Sequence, residues 1–395
     1  ISHKVRSVNP DDDDYSDLKF LKKDLKGAEI VMLGEQGHGD GSTFAAKSRL
    51  AKFLHQEMDF DVLVFESGIL DCYIAWDEIE RGLDPYKSFG KGAFKFWSVS
   101  KYTTELIKYL GEQAQTNDPL VLTGFDMQFS GMMDFKERTG VIAEFLSKGP
   151  AQVHIDRLPH INEYIENPYR FFKPKAMLDV DSTYRENLFK ELKMVADLWE
   201  KDKWAMDMAP VSRFFVNTPR LMYFIWNLDF NNIDPDVANI RDAVMADNLT
   251  WLKETLYPGK KLIVWGANSH FGYNRNLLEP GDHMIPMGQH LKDQYKEKLY
   301  TMAFTSYDGF SGSIVRDTIT AVPPASDECI ETQLKDAGFE FACINFRTAK
   351  SNKCLDQPFK ARIYGYADWT GDWTKMADGL FFIRTMEPNV EREDN

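Results

Sequence analysis

Four stretches of the 395-residue chain each end in side chains able to move protons or hold charge. In EIVMLGEQGHG an acid and an imidazole, Glu35 and His38, stand close together among glycines, and DVLVF runs directly into Glu66. PLVLTGF is followed by Asp126 and Gln128, and KLIVWGANSH closes on Asn268 and His270. A histidine, with an ordinary pKa of about 6.5, can take a proton from water at neutral pH, while a neighbouring carboxylate holds its tautomer and stabilises the imidazolium. Two Glu and two His are equally a donor set able to grip a divalent ion and acidify its bound water. The residues alone leave both hydrolytic routes open.

No GxSxG elbow, HExxH helix or P-loop occurs in the chain. That disfavours a serine esterase of the common α/β-hydrolase type and leaves a histidine as the most available base. The segment GEQGHGDGS partly imitates a glycine-rich dinucleotide turn, but Ser42 stands where the third glycine belongs. Glu35 and His38 would also crowd a pyrophosphate. The glycines serve instead to turn the backbone so that Glu35 and His38 face one cavity. Ser42 or Thr43 is then expected to cap the following helix.

In that helix, Leu50, Phe53, Leu54 and Met58 mark the buried arc, with Lys47 inside it and Arg49 on its edge beside Phe53. Charges so placed usually have an anionic partner. Glu35 and Glu66 are the nearest candidates, so a structural ion pair and a substrate contact are both open readings. A second helix, expected to begin at Ile240, sets Arg241 and Asn248 in the middle of the face formed by Val244, Met245, Leu249 and Leu252. There they either brace the site or anchor the overlying helices to the sheet.

The elements that must position these groups are strand-sized runs at Glu29 to Leu33, Val62 to Phe65, Leu120 to Thr123, Leu262 to Trp265 and Leu299 to Thr305. Long helical patterns mostly separate them. The alternation predicts an α/β fold with a central, mostly parallel sheet flanked by helices. Ligands in such folds sit beyond the carboxyl ends of the strands, where the reactive residues fall. From about Phe135 to Pro258 the strand signal stops, and amphipathic patterns rich in aromatics take over, including Phe214, Phe215, Tyr223, Phe224 and Trp226. The expected organisation is a first core part over 1–134, a helical insertion over 135–258 and a second core part over 259–395. The aromatics are either the insertion's own core or the lining of a lid over an apolar cleft.

With 47 basic and 61 acidic residues the chain carries a formal charge of −14, which repels nucleic-acid phosphates and anionic lipid surfaces. No apolar run reaches the length of a membrane span. Cys72, Cys329, Cys343 and Cys354 form no CxxC pair, which favours a reducing, cytoplasmic compartment. Three of them gather toward the carboxyl end and the chain opens at Ile1 instead of Met, so export stays open.

In order, GEQGHG after a strand, Lys47 and Arg49 in a helix, Phe65-Glu66 ending the next strand, GFDMQ, RDAVMADN and WGANSH resemble the signatures of the erythromycin esterase family. The likeness runs from about Glu29 to Leu291. One loop departs from it: Gln36 and Gly37 precede His38 and Asp40 follows Gly39, where the family often carries Thr near the His. The resemblance implies an α/β core with added helices and hydrolysis of the macrolactone ester of macrolide antibiotics, hence antibiotic resistance, with no required metal or cofactor. It carries over Glu35, His38, Glu66 and His270 as catalytic residues, with Arg49 as a helper. Lys47, Asp126, Gln128, Arg241 and Asn268 are expected to contact the substrate. The expected ligand is a small molecule, a macrolide or another apolar ester. Water activated by His38 would attack it while His270 or Arg49 polarises the carbonyl. A metal-dependent hydrolase and a non-catalytic ligand-binding protein of the same fold are the alternatives. The oligomeric state is not legible.

Overall fold

Short runs of apolar residues, buried along their whole length, build a sheet covered on both faces. The computed structural model describes residues 2–148, 154–167, 170–171, 178–201, 209–229, 234–281, 283–349 and 355–393. Its strands are β1 (Ser2–Val5), β2 (Ile30–Leu33), β3 (Val62–Gly68), β4 (Val121–Asp126), β5 (Leu262–Trp265), β6 (Leu278–Glu279), β7 (Leu299–Ser313), β8 (Thr318–Val322), β9 (Phe341–Asn345), β10 (Phe359–Ala361), β11 (Trp369–Gly371) and β12 (Gly379–Met386). The main sheet has the order β1-β9-β12-β7-β2-β5-β3-β4, with β8 paired to β7; β10, β11 and β6 form a small sheet of their own. From β12 to β4 every neighbouring pair is parallel, and the antiparallel pairs β1·β9, β9·β12 and β7·β8 lie outside that run.

Successive residues of a strand point to opposite faces. Ile30, Met32, Val62, Val64, Leu262 and Val264 accordingly enter one core, and Val31, Leu33, Leu63, Phe65, Ile263 and Trp265 the other. The second core is closed by Phe44, Leu50, Phe53 and Leu54 of the helix Gly41–Met58 and by Leu106 and Leu110 of the helix Thr104–Gln113. Helices at Phe135–Lys148, Pro159–Glu166, Ala209–Asn227 and Pro235–Trp251 close the first, and Phe145, Tyr164, Phe214, Phe215 and Trp226 are buried in it. These aromatics are thus core residues, whereas Tyr223 is exposed. Stretches 149–153, 168–169, 172–177, 202–208 and 230–233 of the expected insertion, and Cys354, lie outside the described residues. Cys72, Cys329 and Cys343 are free thiols. Among the described residues, no helix is long and apolar enough to cross a membrane.

Three boundaries differ from expectation. The first helix begins at Gly41, with Asp40 at the cap position, so Ser42 and Thr43 lie inside it and do not cap it. The Ser42 hydroxyl accepts from Glu387 N, and the Asp40 carboxylate turns back to Gly37. The second helix begins at Pro235, before Ile240, because Asp234 accepts a hydrogen bond from Asp236 N and the proline supplies a preset first turn. Strand β7 runs past Thr305 to Ser313 and folds back through β8 as a hairpin.

The topology places the site. Strand β5 lies between β2 and β3, and Trp265 is level with both Leu33 and Phe65. Glu35, Glu66 and the segment running to His270 therefore leave three adjacent strands at one height on the carboxyl edge.

Candidate active site

Glu35 is fully buried just beyond β2, where only paired carboxylates are tolerated. Lys47 Nζ donates to its Oε2 at 2.6 Å, while His38 Nδ1 at 2.7 Å and Trp97 Nε1 at 3.2 Å meet its Oε1. Lys47 also donates to the carbonyl of Gly266 at 3.2 Å and lies 4.4 Å above the Trp265 ring. Burial lowers its pKa to about 8 against the pull of Glu35.

His38 rides on the glycine-flanked loop after Glu35. Its ring stacks on Phe96 at 4.4 Å and meets the edge of Trp97 at 5.4 Å. The side chain remains 40% exposed, and among the described residues Nε2 has no hydrogen-bond partner. Burial would lower its pKa, but the hydrogen bond and charge of Glu35, aided by Glu66, lift it above the ordinary 6.5. One nitrogen is therefore fixed and the other is open.

The second imidazole is held differently. His270 Nδ1 is 2.8 Å from Asp242 Oδ1, and Nε2 is 3.3 Å from Glu66 Oε1. Burial alone would lower its pKa, yet Asp242 and Glu66 together raise it to about 10. Arg241 Nη1 lies within hydrogen-bond distance of the same Nε2, at 3.1 Å, and can donate to it when that nitrogen carries no proton. Arg241 Nη2 donates to Glu66 Oε1 at 3.0 Å and to Asp126 Oδ2 at 2.6 Å. Glu66 Oε2 accepts from Ala267 N at 2.9 Å. Burial penalises the Glu66 carboxylate, but His270, Arg241 and His38 outweigh it and hold the group well below the usual carboxylate range. A Cβ on Gly266 would lie 2.8 Å from Glu66 Oε2, which explains a glycine directly after Trp265.

Glu35, His38 and Lys47 thus form one bonded group and Glu66, His270, Asp126 and Arg241 another, on adjacent strand ends, and Gln128 Nε2 donates to Asp126 Oδ2 at 3.0 Å. Arg241 braces two strand ends. Asn248, one turn pair further along its helix, donates to the Phe125 carbonyl at 2.9 Å and ties that helix to β4.

Two expected site residues stand elsewhere. Arg49 follows Lys47 by two positions, so its side chain leaves another side of the helix. It is buried against the amino-terminal segment, pairing with Asp17 at 2.8 and 3.0 Å and donating to the carbonyls of Ser7, Asp12 and Asp14. It touches none of the reactive groups. Asn268 spends its amide on backbone: Nδ2 donates to Phe304 O and Ile363 O, both at 2.8 Å, and Oδ1 accepts from Phe304 N at 3.2 Å. It stitches β7 to the loop that carries His270.

Three members of the constellation, Asp242, Trp97 and Phe96, were not singled out by their sequence context. Asp242 did leave a signal, since Met245 and Leu249 follow it at helical spacing and place it on the apolar face. Trp97 and Phe96 come from a short helical turn, Lys95–Ser98, with no reactive neighbour in sequence.

Residues 55–386 match the family described as erythromycin esterase. The chain is 30% identical over 403 residues to the putative hydrolase YbfO of Bacillus subtilis (strain 168), covering 95% of this chain and 87% of that protein. Among solved structures, a succinoglycan biosynthesis protein superposes with a TM-score of 0.78 at 18% identity over 99% of this chain and 96% of its own. A mutant of the erythromycin esterase EreC in its open conformation superposes with a TM-score of 0.68 at 16% identity, over 99% of both chains. The two structural likenesses speak for the fold alone. The extent of the family match and the similarity to YbfO together place the chain in the erythromycin esterase family, a family of hydrolases.

Proposed function

We propose that this protein hydrolyses a carboxylic ester by direct attack of water activated at His38, with the macrolactone ring of a macrolide as the substrate its family name suggests. The observation that carries the reading is the unequal treatment of the two imidazoles. His38 offers an open Nε2 beside a carboxylate that holds Nδ1, the arrangement a general base needs. His270 has both nitrogens engaged, Nδ1 by Asp242 and Nε2 by Arg241 and Glu66, and its pKa is raised to about 10, which suits it to stabilise negative charge and not to act as the base.

In this mechanism Nε2 of His38 removes a proton from water as its oxygen bonds to the ester carbonyl carbon. The charge that builds on the carbonyl oxygen is met by His270 and Arg241. Collapse breaks the bond to the alcohol oxygen, which takes the proton back from His38, giving one acid and one alcohol group. Glu35 stabilises the imidazolium formed on the way. Arg241 thus takes the part first expected of Arg49, and Asp126, Gln128 and Lys47 keep the charged groups in place.

Direct hydrolysis is favoured over a metal route because Lys47 and Arg241 put cationic groups against the acids that would otherwise be ligands. The helices between Phe135 and Trp251 share one core with a face of the sheet, which supports reading 135–258 as an insertion that covers the cleft between core parts 1–134 and 259–395. The test is incubation with a panel of macrolides and simple esters in the presence of a chelator, followed by mass spectrometry. Gain of one water by a macrolide is the expected result. Activity lost on chelation and restored by one particular metal would move the reading to a metallohydrolase, and no hydrolysis of any ester would refute it.

A further inference from the structure

The hairpin of β7 and β8 extends the sheet beyond its parallel part and has no role in the reaction, yet it is fastened to the loop that carries His38. Gly312 N donates to the Gly39 carbonyl at 2.8 Å, and Ser311 Oγ donates to Asp40 Oδ1 at 2.9 Å. The same Asp40 oxygen accepts from Tyr366 OH at 2.6 Å, and the other accepts from Gly37 N at 2.9 Å. A Cβ on Gly39 would stand 2.4 Å from Ser311 Oγ, so the two segments meet in direct contact. Asp40 is the joint between base and hairpin.

Beyond the joint the hairpin overhangs a cavity of about 520 Å³ that includes His38, Phe96 and Tyr366 in its lining. Ser311 pairs with Thr320 and Ser313 with Thr318, and cross-strand partners share a face. A row of four hydroxyls therefore looks toward the base. Thr318 and Thr320 are exposed and make no side-chain hydrogen bond among the described residues. Arg316 lines the same cavity at the hairpin's tip. The opposite face bears Phe310 and Ile319, exposed at 51% and 61%. Hydroxyl groups on the inward face, one planar donor and an aromatic ring suit a ligand that is itself hydroxylated, since each hydroxyl finds a partner and the ring covers an apolar C–H surface.

The geometry points to a subsite in which this hairpin binds a glycosyl or polyol portion of the ester, holding it beside His38. This rests on the ester-hydrolase reading above and adds the class of substrate. The subsite selects for hydroxyls, because a site built to bond them discriminates against analogues that lack them.

The test compares two acetate esters, an acetylated methyl glucoside and a short alkyl acetate, by the ratio of their kcat/KM values. The parent is expected to prefer the sugar ester. Thr318→Val with Thr320→Val keeps shape and strand preference on an exposed hairpin and should lower that ratio by about tenfold, the loss of roughly two modest hydrogen bonds. Ile319→Thr, on the outer face, should leave the ratio at the parental value. An unchanged ratio in the double valine variant would overturn the subsite while leaving hydrolysis intact. If the parent cleaves neither acetate but hydrolyses a macrolide, the hydrolase reading stands, and it falls only if no ester is hydrolysed. Saturation-transfer NMR with the uncleaved sugar acetate then decides the subsite, which stands if contact is lost in the double variant and falls if contact is equal in both.

Discussion

His38 Nδ1 lies 2.7 Å from Glu35 Oε1. Glu35 thereby fixes the orientation of the ring and also sets the pH at which the ring can work. Its hydrogen bond and charge raise the pKa of His38 above 6.5, so the base form accumulates only above that higher value. The rate kcat/KM should rise with pH through an apparent pKa above 6.5. In Glu35→Gln the negative charge is gone, and the rising limb should move to lower pH while the plateau falls. Steady-state rates over a pH series on both proteins check this; a limb that stays in place would separate Glu35 from the ionisation of the base.

The second histidine should titrate far from the first. Folding raises the pKa of His270 from about 6.5 to about 10, so the protonated form is favoured in the native state. Its contribution to stability is complete below the unfolded value and is lost as pH climbs through the folded one. Asp242→Asn removes the carboxylate closest to the ring and should bring the folded pKa down, flattening the loss of stability between neutral pH and about pH 10. Histidine NMR titration and denaturant unfolding at several pH values measure both effects. A ring that titrates near 6.5 in the parent would contradict the raised pKa of His270.

Much of this was legible in the sequence because strands buried on both faces announce themselves as continuous apolar runs. The five strand runs lie within or next to β2, β3, β4, β5 and β7, and the reactive residues follow them. That β5 inserts between β2 and β3 was not legible, since strand order is settled by long-range packing and not by local pattern. Lys47 and Arg241 were detectable as charges on apolar faces, and the acids they meet are those at strand ends. Arg49 misled because a position on the edge of a helix arc does not say which neighbour it faces; Asp12, Asp14 and Asp17, which surround it, come from the amino-terminal segment, whose path across the helix no local pattern announces. After β5 only the first part of β7 was legible, because that strand leaves its apolar run for the hairpin, and β9 and β12 carry no reactive ending to draw attention.

Arg49 therefore gives a prediction opposite in kind to those for the imidazoles. Arg49→Ala leaves Asp17 and three carbonyls without their buried donor, a loss on the order of 3 kcal/mol. Turnover per folded molecule should stay at the parental level. Urea unfolding beside active-site-normalised kinetics tests the pair of expectations, and a parental midpoint with depressed turnover would return Arg49 to the catalytic group.

The most direct measurement is made on His38→Ala, by hydrolysis of a macrolide or surrogate ester together with thermal unfolding. Positioned base catalysis contributes on the order of a hundredfold to ten-thousandfold in rate. Turnover should fall by that amount while Tm stays close to the parent, because the ring is 40% exposed and carries little of the core. Near-parental turnover in this variant would contradict the account and pass the role of base to another group, and a collapsed Tm would make His38 a structural residue.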